Sequence, residues 1–299
     1  MVAPVLAQTK SHLCNLFKIN GSTYPATSIT LKDNATQLAI EDKIIANIPT
    51  QHPQDEIPIT LDGKAIYCVA GTLTADLVKE AASTGQFIIY GSINHNDRNY
   101  IQSYTNGAKS IKFINIDGEQ VTSLQQILYK SEASSVTFEN CNFSKVWTLL
   151  NAFSYMSNLT SFSFKGMGLT NKLTELRNMF FGCKKLESVD FCNCDFSSVN
   201  SLYGMFSNCS ALKSIDFSSC NLTGVSSTGN MFNSCSALES IDFSNCDFSN
   251  VTTIQYYMFA GCKALKEIKA IGCNEATIAF LKDRLNDAGL TNQVTLTVK

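Results

Sequence analysis

The spacing of the cysteines constrains this chain more than any other feature. Of its 12 cysteines, ten lie after residue 140, and eight of those form two regular series. Cys183, Cys209, Cys235 and Cys262 are 26, 26 and 27 residues apart, and Cys194, Cys220, Cys246 and Cys273 repeat the same intervals. A fixed period of this size is the mark of a repeat architecture, in which one short unit recurs along the chain. Such a unit cannot bury its own apolar face, and stacking against the next unit supplies the partner.

Thiols in this number raise three chemistries. A metal centre needs ligands paired at short spacing. The chain has no CxxC pair, one isolated CxC (Cys192 and Cys194) and only the histidines His12, His52 and His95, so no metal or other cofactor is expected. A disulfide framework needs facing side chains, whereas equivalent positions in stacked repeats point the same way. The third reading is cysteine as a small buried hydrophobe. It is favoured because Met156 and Met167 fill the two cysteine slots in an upstream copy of the unit.

That unit reads Met-Phe-x-x-Cys-x-x-Leu-x-x-[Val/Ile]-Asp-Phe-x-x-Cys-[Asp/Asn]-[Phe/Leu]. It runs from Met179 through Val189, Asp190 and Phe191 to Val199, and from Met205 through Ile215, Asp216 and Phe217 to Val225. It recurs from Met231 to Val251 and begins again at Met258, degenerating after Cys273, with weaker copies upstream around Phe153, Ile127 and Ala108. The alternation Val189-Asp190-Phe191 predicts a short strand with apolar residues inward. Phe180, Cys183 and Leu186 recur at helical spacing, which predicts a short helix before each strand.

The segment "MFSNCSALKSIDFSSCNLTGV", Met205 to Val225, resembles the BspA-type leucine-rich repeats of bacterial surface proteins. The resemblance covers roughly residues 108–273, with Phe where that family commonly has Leu in the strand. It implies an α/β fold: a right-handed leucine-rich-repeat solenoid with a parallel β-sheet on the concave face and short helices on the convex side. It also implies a surface or secreted protein that binds another protein, such as a host-cell or extracellular-matrix protein. A repeat fold serves many partners, so the ligand is not implied.

The ends of the array read differently. We take residues 274–299 as a C-terminal cap: Asn274 caps a helix carrying Ile278, Leu281 and Leu285, Gly289 stops it, and "QVTLTVK" alternates like a strand. Residues 63–107 form an N-terminal cap or diverged repeat, with a helix from Thr74 to Gly85 and a strand from Phe87 to Ile93. Residues 1–62 hold all 5 prolines and form a small β-rich appendage or attachment segment. No complete signal peptide is visible in "MVAPVLAQTKSHLC". This leaves a second reading, a structural or decoration component of a phage or other particle, with residues 1–62 as its attachment segment and a virion-associated location.

Composition narrows the function. Charged residues make up 16% and the formal net charge is -2, which argues against a nucleic-acid partner. No apolar run is long enough to span a membrane. Catalysis would require Cys68 or Cys14 to pair with His95 or His52, and no motif surrounds them. Neither phosphate-binding glycine pattern occurs. The expected protein is therefore a non-catalytic binding module. Trp147, the only tryptophan, is expected to pack in a turn between repeats.

The candidate binding surface is the exposed side of the strands. Its central column runs Lys112, Thr137, Ser163, Asp190, Asp216, Asp242, Lys269. Ser188, Ser214 and Ser240 flank it on one side, and Cys192, Ser218 and Ser244 on the other. Three carboxylates about 5 Å apart repel one another unless paired. They suit a basic protein patch or a cation, and the Ser-Asp-Ser face is also compatible with a glycan. The competing reading makes Asp a consensus residue bonded to neighbouring serine hydroxyls.

Overall fold

The computed structural model describes strand backbones up to Val69, then the chain from Gln86 to Lys299 except residues 94, 106, 192–193 and 252–255. Side chains are described at Ile89 and Ile93 and from Arg98 onward, except at 104, 114, 115 and 117 among the described residues. The helix expected from Thr74 to Gly85 lies outside them, as do the side chains of Cys14, Cys68, His52 and His95.

Eight short strands precede residue 70: β1 (Ser11–Leu13), β2 (Leu16–Ile19), β3 (Ser22–Pro25), β4 (Ile29–Lys32), β5 (Gln37–Ile40), β6 (Lys43–Asn47), β7 (Glu56–Leu61) and β8 (Lys64–Val69). β2–β3, β4–β5–β6 and β7–β8 pair antiparallel, so the N-terminal segment is β-rich. The repeat strands follow: β9 (Gln86–Ser92), β10 (Ser110–Asp117), β11 (Ser135–Glu139), β12 (Ser161–Ser163), β13 (Ser188–Asp190), β14 (Ser214–Asp216), β15 (Ser240–Asp242), β16 (Glu267–Lys269) and β17 (Thr295–Thr297). Each pairs parallel with the next in β9–β10–β11, β12–β13 and β14–β15–β16–β17. Single backbone bonds of 3.4 Å, Thr160 to Ser134 and Lys213 to Glu187, link these sets. β1 pairs antiparallel with β9 and covers the outer edge of the stack, an edge that would otherwise offer unpaired backbone groups. The fold is a leucine-rich-repeat solenoid.

One coil explains all the others. In β14 the pattern is exposed-buried-exposed, with Ile215 inward and Ser214 and Asp216 outward. Phe217 follows inward, then the chain turns at Cys220. Further round the coil an isolated parallel bridge forms a second ladder through Ser123, Thr148, Glu175, Ser201 and Ser227. The chain then crosses the side opposite the strands and returns through Met231, Phe232 and Cys235.

On that third side the expected helices do not form. Two residues four apart in each coil have left-handed φ: Asn151 (52°) and Tyr155 (60°), Asn178 (53°) and Gly182 (73°), Gly204 (61°) and Asn208 (63°), Asn230 (56°) and Ser234 (63°). A right-handed helix cannot pass through them. The N–H groups alternate instead. Phe206 donates to Met231 of the next coil at 2.9 Å, Ser207 back to Gly204 at 3.0 Å, and Asn208 to Asn233 of the next coil at 2.7 Å. Helical spacing of Phe180, Cys183 and Leu186 therefore records one face of a chain of tight turns, whose bonds to the neighbouring coil replace those of a helix. At Gly204 the constraint is the left-handed φ, and an added Cβ would meet only the movable end of the Asn178 side chain.

Phenylalanine rings fill the coil interior in columns. Phe153, Phe180, Phe206, Phe232 and Phe259 stack at centroid separations of 5.7, 5.6, 5.6 and 6.1 Å. A second column, Phe191, Phe217 and Phe243, stacks at 4.7 and 5.5 Å, and edge-on contacts such as Phe206–Phe217 join the two. Ring burial and stacking make this the main apolar term of the array.

Beyond Cys273, side chains as well as β17 bond the chain to the preceding coils. Asn274 accepts from the Thr277 N–H at 2.8 Å and starts the helix Glu275–Asp287, which ends at Ala288 before Gly289. Leu281 and Leu285 are buried; Ile278 is only partly so, and Thr277 takes the third inward place. The Thr277 hydroxyl accepts from Phe248 N–H at 2.8 Å, and Gln293 Nε2 donates to the Lys263 and Leu265 carbonyls at 3.0 and 2.8 Å. At the other end the helix His95–Tyr104 was not expected; its sequence is polar, with Ile101 fully buried. Asn94 before it was the available cue, since Asn favours an N-cap.

Two substitutions test this packing. Phe206→Ala, at the middle of the main stack, should destabilise the fold by about 3–5 kcal/mol, read from urea unfolding. Thr277→Val keeps shape but strands the Phe248 N–H, and should cost about 1–3 kcal/mol with loss beginning at the C-terminal coils in hydrogen exchange.

Candidate functional site

The strand face is where the serine and aspartate columns meet. Ser214 lies opposite Ser240 and Asp216 opposite Asp242, while Asp190 lies opposite Ser163 and Asp242 opposite Lys269. Ser188, Asp190, Ser214 and Asp216 are exposed; Ser240 and Asp242 are half-buried. The alternation of the strand places them outward, because Val189, Ile215 and Ile241 take the inward positions.

The carboxylates are not free rotors. Asp216 Oδ1 accepts from the Ser218 backbone N–H at 2.7 Å, and Asp242 Oδ1 from that of Ser244 at 2.9 Å. These are Asx turns, in which a side chain caps the backbone two residues on. Asp190 Oδ2 accepts from the Ser163 hydroxyl at 3.1 Å. The expected serine-hydroxyl partner is thus found at Asp190, whereas at Asp216 and Asp242 the partner is backbone. Ser218 and Ser244 do not form an outer column. They belong to the turn closing on each aspartate, with Ser218 half-buried and Ser244 buried. Cys192 lies outside the described residues.

A neighbouring column carries alternating charge. Glu187 pairs with Lys213 at 2.7 Å and Glu239 with Lys266 at 2.7 Å, each across adjacent coils. The Lys266 ammonium, by its hydrogen bond and its charge, holds the Glu239 carboxyl below the usual range. These lysines answer the glutamates, and Lys269 is the basic residue in register with the aspartate column.

Asx and hydroxyl turns recur at other corners. Asn142, Asp195, Asn221 and Asp247 accept from the backbone of Ser144, Ser197, Thr223 and Ser249. Bonds from Ser197 hold the Asp195 carboxyl low, and bonds from Ser249 and Asn274 do so at Asp247. The [Asp/Asn] slot after the second cysteine was visible in the repeat; its role as a corner cap was not read.

The cysteines face inward. Cys183, Cys209, Cys235 and Cys262 donate their thiols to the carbonyls of Phe153, Phe180, Phe206 and Phe232 of the preceding coil at 3.0–3.1 Å. Each therefore acts as a small apolar filler with a weak donor. All the described cysteines are free thiols. Burial pushes Cys183 and Cys262 up to about 12 and Cys141 to about 11, which removes the thiolate needed for nucleophilic attack. Trp147, expected inside a turn, is instead 50% exposed. Among the described residues no helix is long and apolar enough to cross a membrane.

Residues 156–271 match a protein family described as Mycoplasma protein of unknown function, DUF285. Among solved structures, the chain is similar to a leucine-rich cell surface protein from Faecalibacterium prausnitzii, with 16% identity and a TM-score of 0.34 over 59% of this chain. It spans 57% of that protein's length. A leucine-rich-repeat protein from Bacteroides ovatus matches with 15% identity and a TM-score of 0.25, over 81% of this chain and 69% of its own. No curated protein matches the chain.

The buried thiols predict an alkaline weakness. Below pH 9.0, the ordinary thiol value, folded and unfolded chains both keep the proton, and stability is full. Above it the unfolded chain loses protons that Cys183 and Cys262 retain until about 12. Stability should therefore fall across this window, at up to about 1.4 kcal/mol per pH unit for each thiol. Urea midpoints measured from pH 8 to 11 should show the slope, and Cys183→Ala with Cys262→Ala should make it shallower.

Proposed function

We propose that the chain is a non-catalytic, surface-exposed binding module whose strand face receives a basic patch on a protein partner. The observation that carries this reading is the fixed aspartate column. Asp190, Asp216 and Asp242 project outward from consecutive repeat strands, and each has an oxygen held by a named donor. Each named bond fixes the orientation of its carboxylate. Successive carboxylates sit about 4.8 Å apart, so a partner meets a row of acceptors already in place.

Such a surface loses little freedom on binding, because β14 and β15 are joined in register and the Phe191–Phe217 stack holds β13 against them. Its charge attracts a basic partner at long range and sets orientation on contact. Ser188, Ser214 and Ser240 along one side add hydroxyls that donate or accept. Ser218 and Ser244 contribute by closing the turns that hold Asp216 and Asp242. A host-cell or extracellular-matrix protein is the partner class that we propose, with adhesion at the cell surface as the outcome.

The test is a binding comparison between the intact chain and the variant Asp190→Lys, Asp216→Lys, Asp242→Lys, both with native circular dichroism, on host cells and immobilised matrix proteins. The intact chain should bind with an affinity that weakens as salt rises, and the variant should lose about tenfold or more. Equal binding by both proteins places the contact elsewhere and overturns the reading.

A further inference from the structure

The side of the coil opposite the strands carries a second, chemically different surface. A shallow groove of about 330 Å³ crosses the coils there, lined by Lys184, Asn208, Ser210, Ser234, Ser236 and Lys263. The four residues Lys184, Ser210, Ser236 and Lys263 are equivalent positions, each directly after a cysteine of the first series. They rise through successive coils in that order, so Lys184 and Lys263 stand roughly 14 Å apart at about 4.8 Å per coil.

The charges in this groove differ from those around it. Lys213, Lys266 and Lys109 each meet a glutamate, and Lys185 donates to Asn158. Lys184 and Lys263 meet no carboxylate among the described residues, which leaves a positive charge at each end of the groove. Between them, Ser210 and Ser236 donate to the carbonyls of Lys184 and Ser210 at 3.3 and 3.4 Å. Their oxygens remain as acceptors toward the groove. Asn208 spends one amide hydrogen on Ser207 and keeps the rest of its amide.

One coil beyond Lys184 the groove column continues into an aromatic platform. Tyr155 occupies the left-handed position equivalent to Gly182, Asn208, Ser234 and Gly261. Its ring lies over Gly182, where an added Cβ would stand 2.9 Å from the ring, and it is 44% exposed. Tyr129 at 5.7 Å and Phe181 at 5.2 Å meet the ring near edge-on and brace it, and the Lys130 ammonium lies 6.0 Å from its centroid, a further positive charge beside the part of the ring left exposed.

We propose that this groove binds an acidic oligosaccharide lying across the coils, with one sugar ring on Tyr155 and carboxylate or sulfate groups on Lys184 and Lys263. The match is one of chemistry. An aromatic face takes the apolar face of a sugar, hydroxyl and amide groups suit its many hydroxyls, and isolated ammonium groups act as point charges for spaced anions. A groove with two charges and a polar floor lacks the density of basic residues that a nucleic-acid backbone demands. The proposal does not depend on the strand-face reading, since the two surfaces share no residue.

Isothermal titration calorimetry of the full chain tests it with four probes: a heparin-derived hexasaccharide, a polygalacturonate-derived hexasaccharide, maltohexaose and hexaglutamate. At least one acidic sugar should bind, and which one does assigns sulfate or carboxylate as the anion. Maltohexaose and hexaglutamate should bind about tenfold more weakly or not at all. Lys184→Ala with Lys263→Ala should weaken binding about tenfold, and Tyr155→Asn, which keeps a residue tolerant of left-handed φ, should also weaken it. Lys213→Ala with Lys266→Ala, removing lysines already paired, should leave it unchanged. The proposal fails if neither acidic sugar binds, if hexaglutamate binds as tightly as they do, or if the Lys213/Lys266 variant loses as much as the Lys184/Lys263 variant.

Discussion

The bond from each coil to the next is the constraint on which this molecule depends. On the strand side it is a parallel ladder, at the bridge a single ladder rung, and on the third side an alternation of in-coil and between-coil hydrogen bonds. All three require equivalent residues to lie directly above one another. Once that register is fixed, Phe stacks on Phe and buried thiols meet the carbonyls of the coil before. After the last strongly repeating unit, Thr277 and Gln293 bond by side chain to the backbone of the preceding coils.

Much of this was legible because stacking forces repetition. The cysteine series gave the period, and Val189-Asp190-Phe191 gave strand, inward face and outward face together. What failed was the helix reading before each strand. Inward residues at Phe180, Cys183 and Leu186 satisfy a helical period equally well when carried on tight turns. The contrary signal lay in the two slots where Asn, Gly and other turn residues exchange: Asn178 and Gly182, Gly204 and Asn208. Residues that exchange freely with glycine four positions apart report left-handed backbone, and helices have no use for it there.

The strand face was readable in its central column and misread at its margin. Asp190, Asp216 and Asp242 face outward as their alternation requires. Ser218 and Ser244 follow the second inward residue, and simple alternation would place them outward as well. The chain has by then left the strand, because the aspartate captures the N–H two residues on. An Asp-x-Ser sequence at a strand end carries that turn locally. The groove beyond Tyr155 was invisible for a different reason: its residues come from four coils and converge only through the stack.

The alternating Glu187, Lys213, Glu239 and Lys266 column has a repeat twice as long as the coil that carries it. Loss or gain of a single coil would set glutamate beside glutamate or lysine beside lysine, while the interior rings and thiols would match as before. Changes of two coils preserve both patterns. Along this stretch the surface charges therefore keep a period of two coils while the interior keeps a period of one.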